Sequence, residues 1–157
     1  MKIEMDSLRK SFVLVTGISI FITSLSFASL GQRENSIKRD GLEIHARISE
    51  RFSQSLYQVY TLTSDMNEVR QYLDNQGIVF AVTWRGINHP DLSKLLGEFF
   101  RGYAAADAEV SGSRDQPIKR INTEEIVVEK GGHMGAVRGK AYLSKSVPAG
   151  VEIDSLN

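Results

Sequence analysis

Ile78-Val79-Phe80-Ala81-Val82-Thr83-Trp84 holds an apolar or β-branched side chain at every position, with Gly77 before it and Arg85-Gly86 after it. Alternate residues of a strand point to opposite faces, so a run without a polar side demands cover on both faces. It predicts a central strand. Its neighbours follow by working outward. Asp74-Asn75-Gln76-Gly77 supplies turn chemistry, and before it Val69, Gln71 and Leu73 alternate with Arg70 and Tyr72 as in a half-buried strand. Ser64-Asp65-Met66-Asn67 is a second turn, preceded by the aromatic and β-branched run from Leu56 to Leu62. Three antiparallel strands result.

On the other side, His89-Pro90-Asp91 reads as a helix entry, with proline at the first helical position and aspartate in the first turn. Leu92, Leu95, Leu96, Phe99 and Tyr103 then recur at helical spacing and form one apolar stripe. Residues 104–119, with Ser111-Gly112-Ser113 and Pro117, lack periodicity and read as a surface connection. Residues 125–129 and 136–143 read as two more strands, joined by the glycine-rich loop Gly131-Gly132-His133-Met134-Gly135. Earlier in the chain, residues 36–51 suggest a short or broken helix, interrupted by Gly41. The fold class is therefore α+β: an antiparallel sheet of about five strands, in the order three strands, helix, two strands, with one long amphipathic helix packed on it. The tail 144–157 reads as irregular structure.

The first thirty residues differ in kind. Lys2, Arg9 and Lys10 precede an uncharged run from Ser11 to Gln32 whose apolar centre lies between Phe12 and Ile22. A basic region, an apolar region and the small residues of Ser26-Phe27-Ala28 form the pattern of a signal peptide, residues 1–28, cut before Ser29. The remainder, 29–157, is expected to be a single domain, exported to the periplasm or the extracellular space. The alternative is an uncleaved segment that anchors the domain in the inner membrane, and only then is a membrane a partner.

Composition narrows the function. The 157 residues include 19 basic and 19 acidic side chains, so no general field attracts nucleic acid, and a nucleic-acid partner is not expected. Cysteine is absent, which excludes disulfides, thiolate catalysis, cysteine-bound zinc and a lipid-modified cysteine.

Four blocks carry a family resemblance: Val79 to Gly86, Pro90 to Gly97, Gly131-Gly132-His133-Met134, and Val147-Pro148-Ala149-Gly150-Val151. Together they resemble the bacterial domain-of-unknown-function family numbered twenty-eight forty-four. The resemblance runs from about Leu30 to Val151 and implies export and a shared fold, with no assigned activity. Gly135 departs from it, standing where the family pattern has arginine, and so does the polar insertion around Asn88-His89.

No catalytic constellation stands out. There is no Gly-x-Ser-x-Gly elbow, and Ser7-Leu8-Arg9-Lys10 lies in the segment expected to be removed. His45, His89 and His133 lack the spacing that aims two ligands at one metal, so neither metal nor cofactor is expected. Glu125 and Glu129 share a strand face, which reads as a solvated surface. The candidate partner-binding residues are Trp84 and Arg85, an aromatic and a guanidinium at a strand end, and His133 and Met134 in the glycine loop, whose backbone amides are also a candidate anion cradle. The leading functional expectation is an exported, non-enzymatic binding or envelope-accessory protein whose partner is an envelope or secreted component. Two alternatives stand beside it: a small hydrolase using His133 with a nearby carboxylate or tyrosine, and a carrier of a small apolar ligand enclosed between helix and sheet.

Overall fold

In the computed structural model, residues 30–34, 47–110 and 117–156 are described. The expected signal segment lies outside them, as does the 36–46 part of the expected broken helix. Seven strands form one sheet: β1 Arg47–Ser53, β2 Gln58–Thr63, β3 Asn67–Leu73, β4 Val79–Gly86, β5 Ile118–Asn122, β6 Ile126–His133 and β7 Ala136–Leu143. Their spatial order is β1-β2-β3-β4-β7-β6-β5, and every neighbouring pair is antiparallel. Two meanders therefore meet where β4 pairs with β7. The run that predicts a central strand is the middle strand of the sheet.

Two strands exceed the five expected, and both lie at edges. Residues 47–51, expected to be helical, belong to β1, and residues 118–119, expected to be connection, open β5. Arg47-Ile48-Ser49-Glu50-Arg51 and Ile118-Lys119-Arg120-Ile121-Asn122 are rich in charge, as exposed edges commonly are. Such strands are specified by the ladder beside them more than by their own composition. In β5, only Ile121 is buried.

The apolar stripe after β4 forms a helical segment in three pieces: α1 Leu92–Leu96, a 3-10 turn Gly97–Phe99, and α2 Phe100–Glu109. Helix thus continues to Glu109, where a connection is expected from Ala104 on. Asp91 caps α1 by accepting the Ser93 amide at 3.0 Å, so Pro90 stands before the cap and not at the first helical position. The regular helix breaks at Gly97, where φ is +54°.

Side-chain alternation divides the core in two. One face of the sheet, with Leu62, Val69, Val82, Trp84, Ile126 and Val128, packs under Leu95, Leu96 and Tyr103. Leu30, fully buried, joins this core, its amide donating to the Leu95 carbonyl at 3.0 Å. On the other face Tyr72, Phe80, Ala81 and Leu156 are buried together, with Tyr57, Val147, Val151 and Ile153 packed around them. The irregular tail thus crosses the second face, ending in a 3-10 turn at Ile153–Ser155. It covers only one end of that face. A bulge between Tyr72 and Leu73 lets Phe80 and Ala81 serve the same cluster.

Candidate functional site

Where the tail stops, the second face carries charge. The register lines up Thr61, Arg70, Thr83, Lys140, Glu129 and Arg120 in one row across six strands, and Glu68, Arg85 and Arg138 in the next. Except for Thr61 and Arg120, these rows floor an open cleft of about 560 Å³ walled on one side by Asp154 and Leu156 of the tail.

The charges interlock. Glu68 gives one carboxylate oxygen to Arg70 Nε at 3.0 Å and the other to Arg85 Nη2 at 2.9 Å. Partial desolvation opposes the charged form of Glu68, but the two guanidiniums outweigh it and hold the carboxyl below its ordinary range. The hydrogen bond to Glu68 likewise holds Arg85 above the ordinary guanidinium value. Across the cleft, Glu129 is shared between Arg120 Nη1 at 2.8 Å and Lys140 Nζ at 3.4 Å. Lys140 also reaches Asp154 at 2.6 Å and so fastens the tail to β7. Burial works against the Lys140 ammonium, yet Asp154 and Glu129 raise its pKa overall.

The residues singled out in the sequence occupy three different places. Trp84 is in the core, 3% exposed, its ring lying over Gly139 and its indole N–H donating to His89 Nδ1 at 3.0 Å. Little of it is exposed, although it borders the cleft. Arg85, next along the strand, points the other way into the cleft. His133 and Met134 sit at the tip of the β6–β7 hairpin, outside the cleft lining, with Met134 94% exposed. The structure does not bring the four together.

The glycine loop is tighter than expected. β6 runs on through His133, so only Met134-Gly135 turns the chain. Gly131 and Gly132 pair with Arg138 and Val137 in the ladder, and the Gly135 amide donates to the Ile87 carbonyl. Glycine at 132 answers close packing, since a Cβ there would lie 2.3 Å from the Ala136 carbonyl oxygen. Of the amides in the expected anion cradle, that of Gly135 is thus engaged within the fold.

Among the described residues, His133 makes one hydrogen-bonding contact, from Nδ1 to the Met134 carbonyl at 3.1 Å. Among these residues no carboxylate or tyrosine orients it, though the hydrolase reading requires one. His89 is engaged with Trp84, and His45 lies outside the described residues. Glu125 precedes β6, and Glu129 is paired on the cleft floor. Among the described residues, no three potential metal ligands gather. The cleft itself is lined by charges and lies on the face opposite the helices, unlike the enclosed apolar pocket a carrier would need.

Arg138, Lys140, Glu68, Arg70 and Glu129 belong to the site but are not evident as a group from the sequence. Their signal is the period-two spacing of Glu68 with Arg70 and of Arg138 with Lys140, which places each pair on one strand face.

Fold and site together define an α+β domain with one sheet face sealed by helices and the other bearing a charged, half-open cleft. The chain belongs to the family described as Protein of unknown function (DUF2844), whose model matches residues 26–156. No curated protein and no solved structure matches it.

Proposed function

We propose that this protein is an exported, non-enzymatic binding domain, periplasmic or secreted, that holds another envelope or secreted component on the open face of its sheet. Support for export comes from the basic and apolar segments before Ser26-Phe27-Ala28, together with a family match that begins at residue 26. The observation that carries the binding reading is the asymmetry of the sheet: the helices seal one face, while the tail leaves a charged cleft of about 560 Å³ on the other. Among the described residues His133 has no carboxylate or tyrosine partner for hydrolysis, which favours binding over turnover.

A photo-crosslinking side chain at Ile118, exposed on the cleft rim, tests this in the producing cell against one at Glu109, exposed at the end of α2. The expected result is an adduct of one defined mass from position 118 and none from 109, in protein whose intact mass lacks residues 1–28. Identical adducts from both positions, or none from 118, refute the binding face. Chains that retain residues 1–28 and stay in the cytoplasm refute export.

A further inference from the structure

We propose that Arg85 and Arg138 form an oxyanion subsite in this cleft, made to grip a terminal carboxylate or phosphate of the bound molecule. The inference deepens the binding reading and rests on the cleft being the binding face.

The two arginines are register partners across β4 and β7, so their side chains rise side by side from one face. Like charges directly opposite each other in a sheet repel, and a pair of this kind persists at a cost to the fold unless a counterion is near. Glu68 supplies that counterion to Arg85 alone, and the carboxylates around Arg138 are already engaged. Both oxygens of Glu68 are taken by Arg70 and Arg85, both oxygens of Glu129 by Arg120 and Lys140, and Asp154 by Lys140. Lys130 borders the cleft, but its ammonium turns to the helical side and meets Tyr103 and Asp107. Among the described residues, no carboxylate pairs with Arg138, although it is exposed on the cleft floor.

Arg85 is the held member of the pair. Glu68 fixes one edge of its guanidinium while the side chain stays 67% exposed, which leaves donors for a ligand. A planar guanidinium presents parallel N–H groups that match the oxygens of a carboxylate or phosphate, and two of them converging on one anion outdo a single one. The shared chemistry is an oxyanion on a group of the bound component that can enter the cleft, with apolar surface beside it lying along the exposed Ile118 at the rim.

The test is a ¹H–¹⁵N NMR titration of the protein expressed from its full sequence, in zwitterionic detergent wherever the apolar segment is retained. Inorganic phosphate and succinate are added in separate arms at constant ionic strength. Saturable shifts are expected at the amides of Arg85, Arg138 and their neighbours, and the arm that saturates lower identifies phosphate or carboxylate as the preferred group. Arg138→Gln weakens binding by about tenfold, Arg138→Lys by less, because charge without the fork is kept. Glu68→Gln strengthens it about threefold by removing the nearest competing carboxylate. Shifts that never saturate in either arm, or equal affinity in Arg138→Gln, overturn the subsite. Crosslinking from Ile118 in an unsubstituted protein that binds neither anion fails the subsite while the binding face stands. Loss of crosslinking from Ile118 in the unsubstituted protein fails the binding face itself.

Discussion

Substituting Gly139 by alanine is expected to destabilise the protein through Trp84, although both residues belong to ordinary strands. A Cβ at position 139 would lie 2.2 Å from Trp84 Cζ2, 2.5 Å from Cε2 and 2.6 Å from the Glu129 carbonyl oxygen. Packed carbons do not approach so closely, so the indole must withdraw by more than about 1 Å in a core already near crystal density. Withdrawal also pulls its N–H away from His89 Nδ1. Overpacking of this size costs about 1–3 kcal/mol and the lost hydrogen bond about 1 kcal/mol more, so the expected loss is about 2–4 kcal/mol. Trp84→Ala alone should cost about 3–5 kcal/mol. In that background the indole clash is gone. What remains is the Glu129 contact, set against the roughly 0.5–1 kcal/mol that alanine gains over glycine in a strand. A double-mutant cycle should therefore return a coupling of about 2 kcal/mol. Urea unfolding is followed by far-ultraviolet circular dichroism, because Trp84 is the single tryptophan and its fluorescence is lost with it. Gly139→Ala within about 0.5 kcal/mol of the parent, or an additive cycle, would refute the reasoning.

His89 supplies a pH dependence with a definite sign. Desolvation and then the Lys130 ammonium hold it below the ordinary imidazole value of 6.5, and its Nδ1 can accept the indole N–H only while unprotonated. The unfolded chain therefore binds the proton more readily: the stabilisation is complete above about pH 6.5 and is lost as pH falls through that value toward the depressed folded one. Urea midpoints should fall between pH 7.5 and about pH 5.5 in the parent and hold steady in His89→Gln; equal shifts in both would reject the assignment. At the other end of the fold, Leu156 is 5% exposed against Tyr72, Phe80 and Ala81, so Leu156→Ala should cost about 2–4 kcal/mol and speed hydrogen exchange in the tail before that in β4. An unchanged unfolding midpoint would mean that the tail does not seal this face.

Much of the fold is legible because local pattern and tertiary role coincide. Val79 to Val82 is apolar throughout because it lies in the middle strand, covered by helices on one side and by the tail on the other. The stripe from Leu92 to Tyr103 marks the helical cover for the same reason. The edge strands β1 and β5 are obscure because half of an edge strand's specification is its neighbour's ladder, and their charges mimic a helix surface or a loop. The site was half visible. Arg85 stands out beside Trp84, but alternation sends consecutive residues to opposite faces, so the tryptophan belongs to the core and the arginine to the cleft.

The α+β class, the central strand, the helical stripe and the expectation of a cysteine-free exported domain are all readable from the chain. Each depends on periodicity or composition within a short window. Long-range packing alone sets the meeting of β4 with β7, for their paired residues lie more than fifty positions apart and no local pattern fixes their register. That register places Arg138 beside Arg85 and the Trp84 ring over Gly139. A slip of one residue would reverse every side chain on the strand and remove both arrangements.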